Sequence, residues 1–247
     1  MTALYRQDVF ANNLANLDTV GFKADIPSIQ ARPDVRTEDG LGHLPSNALL
    51  EKLGGGTFLR PNRINLEQGS LRRTGGMLDV AIEGKGFLVV EDPSDSSNPQ
   101  RLTRDGRLLR SPAGELVMAG TGLPVLDANN QRITIPATGE LRIDGDGTIS
   151  VNNRAIARMK FIDVPEGTQL RKAGHSMMFA PPEVFSSNLR PLGNLRQQML
   201  EESAVDELRA LMNVTSASRE VDANVDAMRA HDRLMDRAIT SLGRPIA

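Results

Sequence analysis

The chain has 247 residues, of which 39 % are hydrophobic, 24 % charged and only 3 % aromatic; it has no Cys, no Trp and a net charge of -2. That length admits one large domain or two modest ones. The near-neutral balance argues against nucleic acid as the main partner. The lack of Cys removes disulfides, thiolate catalysis and Cys-based zinc sites together. Few aromatics weaken a small-molecule pocket, and no stretch reaches the roughly 18–20 apolar residues of a membrane span.

The N-terminus, MTALYRQDVFANNLAN, places Arg6 and Asp8 where a cleavable secretory signal needs its apolar region, so no such signal is expected. Leu4, Tyr5, Phe10 and Leu14 fall on one side of a helix. It should end near Asn16, because Asp18, Thr19 and Gly21 continue a helix poorly. About fourteen residues are marginal alone, so this helix needs a partner. Residues 1–30 are assigned to this N-terminal piece. Residues 31–76 read as an extended connector with a few short strands, broken by Pro33, Pro45, Pro61 and Gly54-Gly55-Gly56.

From Met77 the pattern turns to strands. LDVAIEG (78–84) and FLVVED (87–92) flank Gly84-Lys85-Gly86, a hairpin signal. Asp105-Gly106 and Pro112-Ala113-Gly114 mark further turns. GLPVLD (122–127), QRITIP (131–136), ELRID (140–144), TISVN (148–152) and RMKFIDV (158–164) continue the series. This spacing predicts an all-β domain over 77–190, a sandwich or a partly closed barrel.

Residues 191–247 are assigned to a long C-terminal helix. Between Asn194 and Leu242 there is neither Gly nor Pro. A seam alternating by three and four runs through Ala204, Glu207, Leu211, Val214, Ser218, Val221, Val225, Met228, Asp232, Met235, Ile239 and Leu242. Such a sustained seam reads as coiled coil. Its polar members either fix register or face water. The fold expectation is therefore α+β: a central β domain inserted between N- and C-terminal helices that pair as a coiled coil.

Chemical motifs are weak. Gly84-Lys85-Gly86 starts like a dinucleotide fingerprint, but Val89 stands where the third Gly belongs and a strand follows. Asp144-Gly145-Asp146-Gly147 suggests a calcium loop, yet Ile149 and Ala155 occupy the sixth and twelfth places, so a turn is the better account. His43, His175 and His231 have no metal-ligand spacing, and no nucleophile elbow occurs. No catalytic residue, cofactor or metal is expected.

Three stretches are familiar. NNLANLDTVGFKAD (12–25) resembles the N-terminal signature of the bacterial flagellar basal-body rod and hook protein family. GGMLDVAIEGKGFLVVED (75–92), followed by LTRDGRLLRSPAGELVMAGTGLPVLD (102–127), resembles that family's β core. Residues 195–239 resemble its C-terminal helical region. The three motifs are collinear and span most of the chain. There are departures. Family members usually carry more helix before the Asn pair, whereas Asn12 comes early and Met1 stands where an internal Met is common. Val20 replaces a typical Pro, and SREVDAN (218–224) lacks the usual aromatic.

The resemblance implies a structural axial subunit, not an enzyme. Its partners would be copies of itself, other rod and hook subunits and the flagellar export apparatus, with no nucleic acid or small-molecule substrate. Its place would be the periplasm-spanning rod. Length, and a β region with no large extra domain, suit a rod protein better than a hook protein; among rod proteins the proximal subunit is favoured over the distal one. The expected assembly interface is Leu211, Val214, Val221, Val225, Met228, Met235 and Ile239 on the tail, faced by Leu4, Phe10 and Leu14. Asn12, Asn13 and Asn16 would satisfy backbone groups where the first helix ends. The competing reading is a secreted β-domain adhesin or binding module oligomerised by a C-terminal coiled coil. It predicts a closed dimer or trimer, where the rod subunit predicts a monomer with loose ends.

Overall fold

The computed structural model describes residues 2–43, 45, 56–186 and 192–242. The chain forms two compact units, one built from Met1–Ala15, Asp25–Arg63 and Asp206–Ala247, the other from Asn16–Ala24 and Ile64–Val205.

In the first unit, helix α1 (Thr2–Ala15) packs along the tail helix α4 (Glu207–Leu242). Strands β1 (Asp25–Ala31) and β2 (Thr57–Ile64) pair as a two-stranded sheet, with a short helix α2 (Val35–Glu38) between them. Pro61, expected to interrupt the chain, lies inside β2. A two-stranded ribbon has only edge strands, where a missing N–H is tolerated. Of the Gly54-Gly55-Gly56 run, Gly54 and Gly55 lie outside the described residues, and Gly56 has a φ of 86°.

The second unit holds β3 (Leu71–Arg73), β4 (Val80–Glu83), β5 (Phe87–Glu91), β6 (Gln100–Thr103), β7 (Leu108–Arg110), β8 (Leu116–Met118), β9 (Leu141–Ile143), β10 (Thr148–Val151), β11 (Arg154–Arg158), β12 (Phe161–Ile162), β13 (Arg171–Gly174) and β14 (Met177–Phe179). A short helix α3 (Pro182–Ser186), β15 (Asn194–Gln197) and β16 (Met199–Glu201) follow. The largest sheet is antiparallel in the order β12-β5-β6-β14-β13. Strand β5 shows why it sits at the centre. Successive side chains alternate between faces, so Leu88 and Val90 enter one core with Val80, Leu116, Val125 and Ile149. Phe87 and Val89 enter a second with Leu102, Leu126, Met178 and Phe185. A strand buried on both faces reads as the unbroken apolar run seen in the sequence.

The five-stranded sheet ends at open edges, so no closed barrel forms among the described residues. Two expectations change. Gly84-Lys85-Gly86 joins β4 to β5, but these strands do not pair: β4 pairs with β15, and β5 with β6 and β12. The turn is a corner between sheets, with Gly86 at a φ of 131° and pressed against the Phe161 ring. Segments 122–127 and 131–136 make only isolated bridges. Pro124 and Pro136 lack the N–H that a longer ladder needs.

The signals at Pro112-Ala113-Gly114 and Asp144–Gly147 form turns, whereas Asp105-Gly106 does not join two paired strands. Ser111 closes the β7–β8 hairpin, its Oγ accepting from the Glu115 N–H at 3.0 Å. Asp144–Gly147 is the β9–β10 turn, with Gly147 N–H donating to Asp144 O at 3.0 Å and a φ of 89°. At Gly106 the backbone passes directly against Val80, whose N–H donates to Gly106 O at 3.0 Å, and an added Cβ would overlap the Val80 carbonyl oxygen. Gly106→Ala will therefore lower the stability of this unit by at least ~1–3 kcal/mol, measured as a fall in the urea midpoint.

The tail helix starts later than expected. Residues 194–201, assigned to the helical tail, instead form β15 and β16, paired with β4 and β3. Gln198, at a φ of 60°, interrupts the run. The helix begins where Asp206 caps it: the Arg209 N–H donates to Asp206 Oδ1 at 2.8 Å, satisfying a donor that the first turn leaves open.

Candidate assembly interface and its anchoring cluster

Helix α1 is about 21 Å long and α4 about 54 Å, from 14 and 36 residues at ~1.5 Å each. One cannot cover the other. Burial on α4 is confined to its first part: Ala210 and Ala217 are buried, while Asn213, Val214, Ser218 and Val221 are half-buried. An ion pair from Arg6 to Glu220 at 2.6 Å fixes α1 beside this stretch. From Asp222 to Thr240 every residue is exposed.

The seam residues therefore separate. Val214 and Val221 lie on the half-buried face. Leu211 is exposed, as are Val225 at 38 %, Met228 at 67 %, Met235 and Ile239. Of the polar seam positions, Ser218 is half-buried whereas Glu207 and Asp232 face water. The residues missed are Ala210 and Ala217. They are seven apart on one face, and their small size lets a second helix approach closely. A search for large apolar side chains passes over them, although the heptad spacing of the two alanines was a usable signal.

On α1 the buried residues are Ala3, Val9 and Asn13; Leu4 is exposed, and Phe10 and Leu14 are half-buried. Leu4 thus does not belong to the buried face. Asn13 acts on a strand rather than on its own helix end. Its Nδ2 donates to Asp25 O at 2.8 Å, and the Asp25 N–H donates to its Oδ1 at 2.9 Å. One amide side chain thus completes the pairing of the first residue of β1. Tyr5 donates to Asn62 Oδ1 at 2.9 Å, adding a link from α1 to β2. Asn12 is exposed.

In the second unit the signature turn is held differently. Asn16 Oδ1 accepts from Thr19 Oγ1 at 3.1 Å. Val20 and Phe22 are buried, and Gly21, at a φ of 66°, lies flat against the backbone of Arg104 where no Cβ fits. Lys23 enters the interior. Its Nζ donates to Glu201 Oε1 at 2.6 Å and to Glu67 O at 2.5 Å. Arg104 donates to Glu201 Oε2 at 2.9 Å and to Gly84 O at 2.9 Å, and lies over the Phe87 ring at 5.0 Å. The members of this cluster are far apart in the chain, so no local pattern in the sequence marks it.

Burial holds the Lys23 ammonium below the ordinary lysine value of 10.5, although Glu201 opposes the shift. Lys160 is lowered too, by burial; its Nζ donates to Asn130 Oδ1 at 2.5 Å. A lysine lowered on folding releases its proton earlier in the folded chain, so the unfolded chain binds more protons just below pH 10.5. Stability from these two groups therefore rises with pH up to that value. At the acid end Asp92, Asp95 and Asp146 are lowered. Asp92 is held chiefly by Ser94, Asp95 by Arg101 and Asp146 by Thr148. Their contribution is lost as pH falls below 3.8. The urea midpoint will rise as pH approaches ~10 from below, and Lys23→Met will flatten that rise.

Comparison with known proteins bears on these ends and this core. Residues 1–23 match the family model described as flagella basal body rod protein, and residues 81–151 match that of the flagellar hook protein FlgE/F/G D1 domain. Flagellar basal-body rod protein FlgF of Rhizobium meliloti is 30 % identical over 96 % of this chain and 92 % of its own. The protein of the same name from Caulobacter vibrioides is 29 % identical over 99 % and 94 %. Flagellar basal-body rod protein FlgG of Buchnera aphidicola is 27 % identical over 93 % and 91 %. With its two ends and its β core aligned to relatives along nearly their whole length, the chain belongs to the flagellar basal-body rod protein family.

Proposed function

We propose that the chain is a structural subunit of the bacterial flagellar basal-body rod and polymerises through its terminal helices. The observation that carries this reading is the outer part of α4. Met228, Leu234, Met235 and Ile239 are each more than half exposed on a helix with no other element packed along it there among the described residues. A single subunit leaves these residues in water. Head-to-tail contact with neighbours buries them at roughly 25 cal/mol per Å2, and such a contact, when it does not close, builds a filament. The partners are copies of this chain and other rod and hook subunits. Delivery is through the flagellar export apparatus to the periplasm-spanning rod. Within the rod, the proximal segment is proposed over the distal one.

The test is fractionation. An epitope-labelled chain, expressed in a host lacking its own copy, is expected in purified basal bodies and monomeric in isolation by light scattering. A closed dimer or trimer absent from basal bodies would overturn the proposal and favour an oligomeric binding module.

A further inference from the structure

The chain enters or leaves the β unit at four points, after residues 15, 24, 63 and 205. Three segments of that unit carry these crossings: 16–24, 64–70 and 199–205. They are bonded to one another. Gly21 N–H donates to Glu201 O at 2.8 Å, Asn65 N–H to Ala24 O at 2.8 Å, and Glu202 N–H to Ser70 O at 2.9 Å. Gly69 has no room for a Cβ against the Glu202 carbonyl, just as Gly21 has none against Arg104.

At their junction lies the charged cluster. Lys23 comes from the first segment, the Gly69 N–H and the Glu67 carbonyl from the second, and Glu201 from the third. The side chains of Lys23 and Glu201 are 0 % exposed and that of Arg104 is 3 % exposed. Both Glu201 oxygens are used: Oε1 accepts from Lys23 and from Gly69 N–H at 2.9 Å, and Oε2 accepts from Arg104. Two buried cations thus share one carboxylate. A buried network of this kind has no favourable half-formed state, since displacing the carboxylate strands both cations without water.

We propose that Lys23, Glu201 and Arg104 form a clasp through which segments 16–24, 64–70 and 199–205 open and close as one, while the rest of the β unit keeps its fold. The segments that follow α1 and precede α4 are then held together or released together.

Native-state hydrogen exchange on the full chain tests this. Glu201→Gln keeps the shape, removes the charge and turns an amide N–H toward a cation. The Gly21, Asn65 and Glu202 amides are expected to share one opening free energy, below that of Val89 in the core, and in Glu201→Gln to exchange faster by a common factor of at least about tenfold. Lys23→Met leaves the Glu201–Arg104 pair intact, so it stays informative if the first variant does not fold. It is expected to speed exchange at Gly21, Asn65, Gly69 and Glu202 by one common factor. Unequal opening free energies at Gly21, Asn65 and Glu202 in the unaltered chain, or one equal to that of Val89, would overturn the clasp. So would acceleration by Glu201→Gln at Gly21 and Glu202 alone, or wild-type rates at Asn65 and Gly69 in Lys23→Met.

Discussion

A Met228→Asp subunit is expected to fold normally and fail to enter the rod. Met228 is 67 % exposed on α4, so the substitution should leave the stability of the isolated chain within ~0.5 kcal/mol. In the proposed contact the same position is buried. Losing a buried Met forfeits ~1.5–3 kcal/mol, and an unpaired carboxylate in an apolar contact adds a desolvation penalty of at least comparable size. Together these weaken each contact by about a thousandfold or more. Soft-agar motility of a complemented host, alongside the urea midpoint of the purified subunit, checks both halves. Val225→Asp, at a position 38 % exposed, should behave alike. Wild-type motility with Met228→Asp would sink the helix-mediated assembly.

Glu201→Ala should have the largest effect on the fold itself. It leaves Lys23 and Arg104 buried with no anion, and removing one partner of a buried ion pair costs ~3–5 kcal/mol. That is a large part of the ~5–15 kcal/mol that typically holds a domain. The urea midpoint of the β unit should fall sharply or the chain should not fold. By contrast Glu166→Ala, which breaks the solvent-exposed pair with Lys85, should leave the midpoint in place. If the two variants behaved alike, the cluster would contribute nothing special.

Local signals were readable in the sequence, and signals between distant residues were not. The apolar run of β5, the Pro112-Ala113-Gly114 and Asp144–Gly147 turns and the helix free of Gly and Pro each follow from neighbouring residues. The corner at Gly84-Lys85-Gly86 has the local signature of a hairpin, because its pairing depends on β15, more than a hundred residues away. The start of α4 was misplaced because Leu195 and Leu200 are apolar in either state, and only the pairing of β15 and β16 decides between them. At the interface, large residues marked the exposed row. The buried face was set by Ala210 and Ala217, whose smallness carries little weight in a hydrophobicity pattern. Lys23 read as part of a family signature. Its burial could not be inferred without Glu201, 178 positions later.

The first unit is assembled from the two extremes of the chain. Arg6 and Glu220 are 214 positions apart, and α1 has no other long helix to lie on among the described residues. Loop-closure entropy grows only slowly with length, by about 0.6 kcal/mol per doubling, so this separation is a minor thermodynamic burden. Its kinetic meaning is greater. Contacts this distant form late and slowly. A chain that has emerged only as far as its β region holds an α1 too short to stay helical by itself. The helix pair therefore reports on progress along the chain: it can close only once the first part of α4, through Glu220 and Val221, has been made.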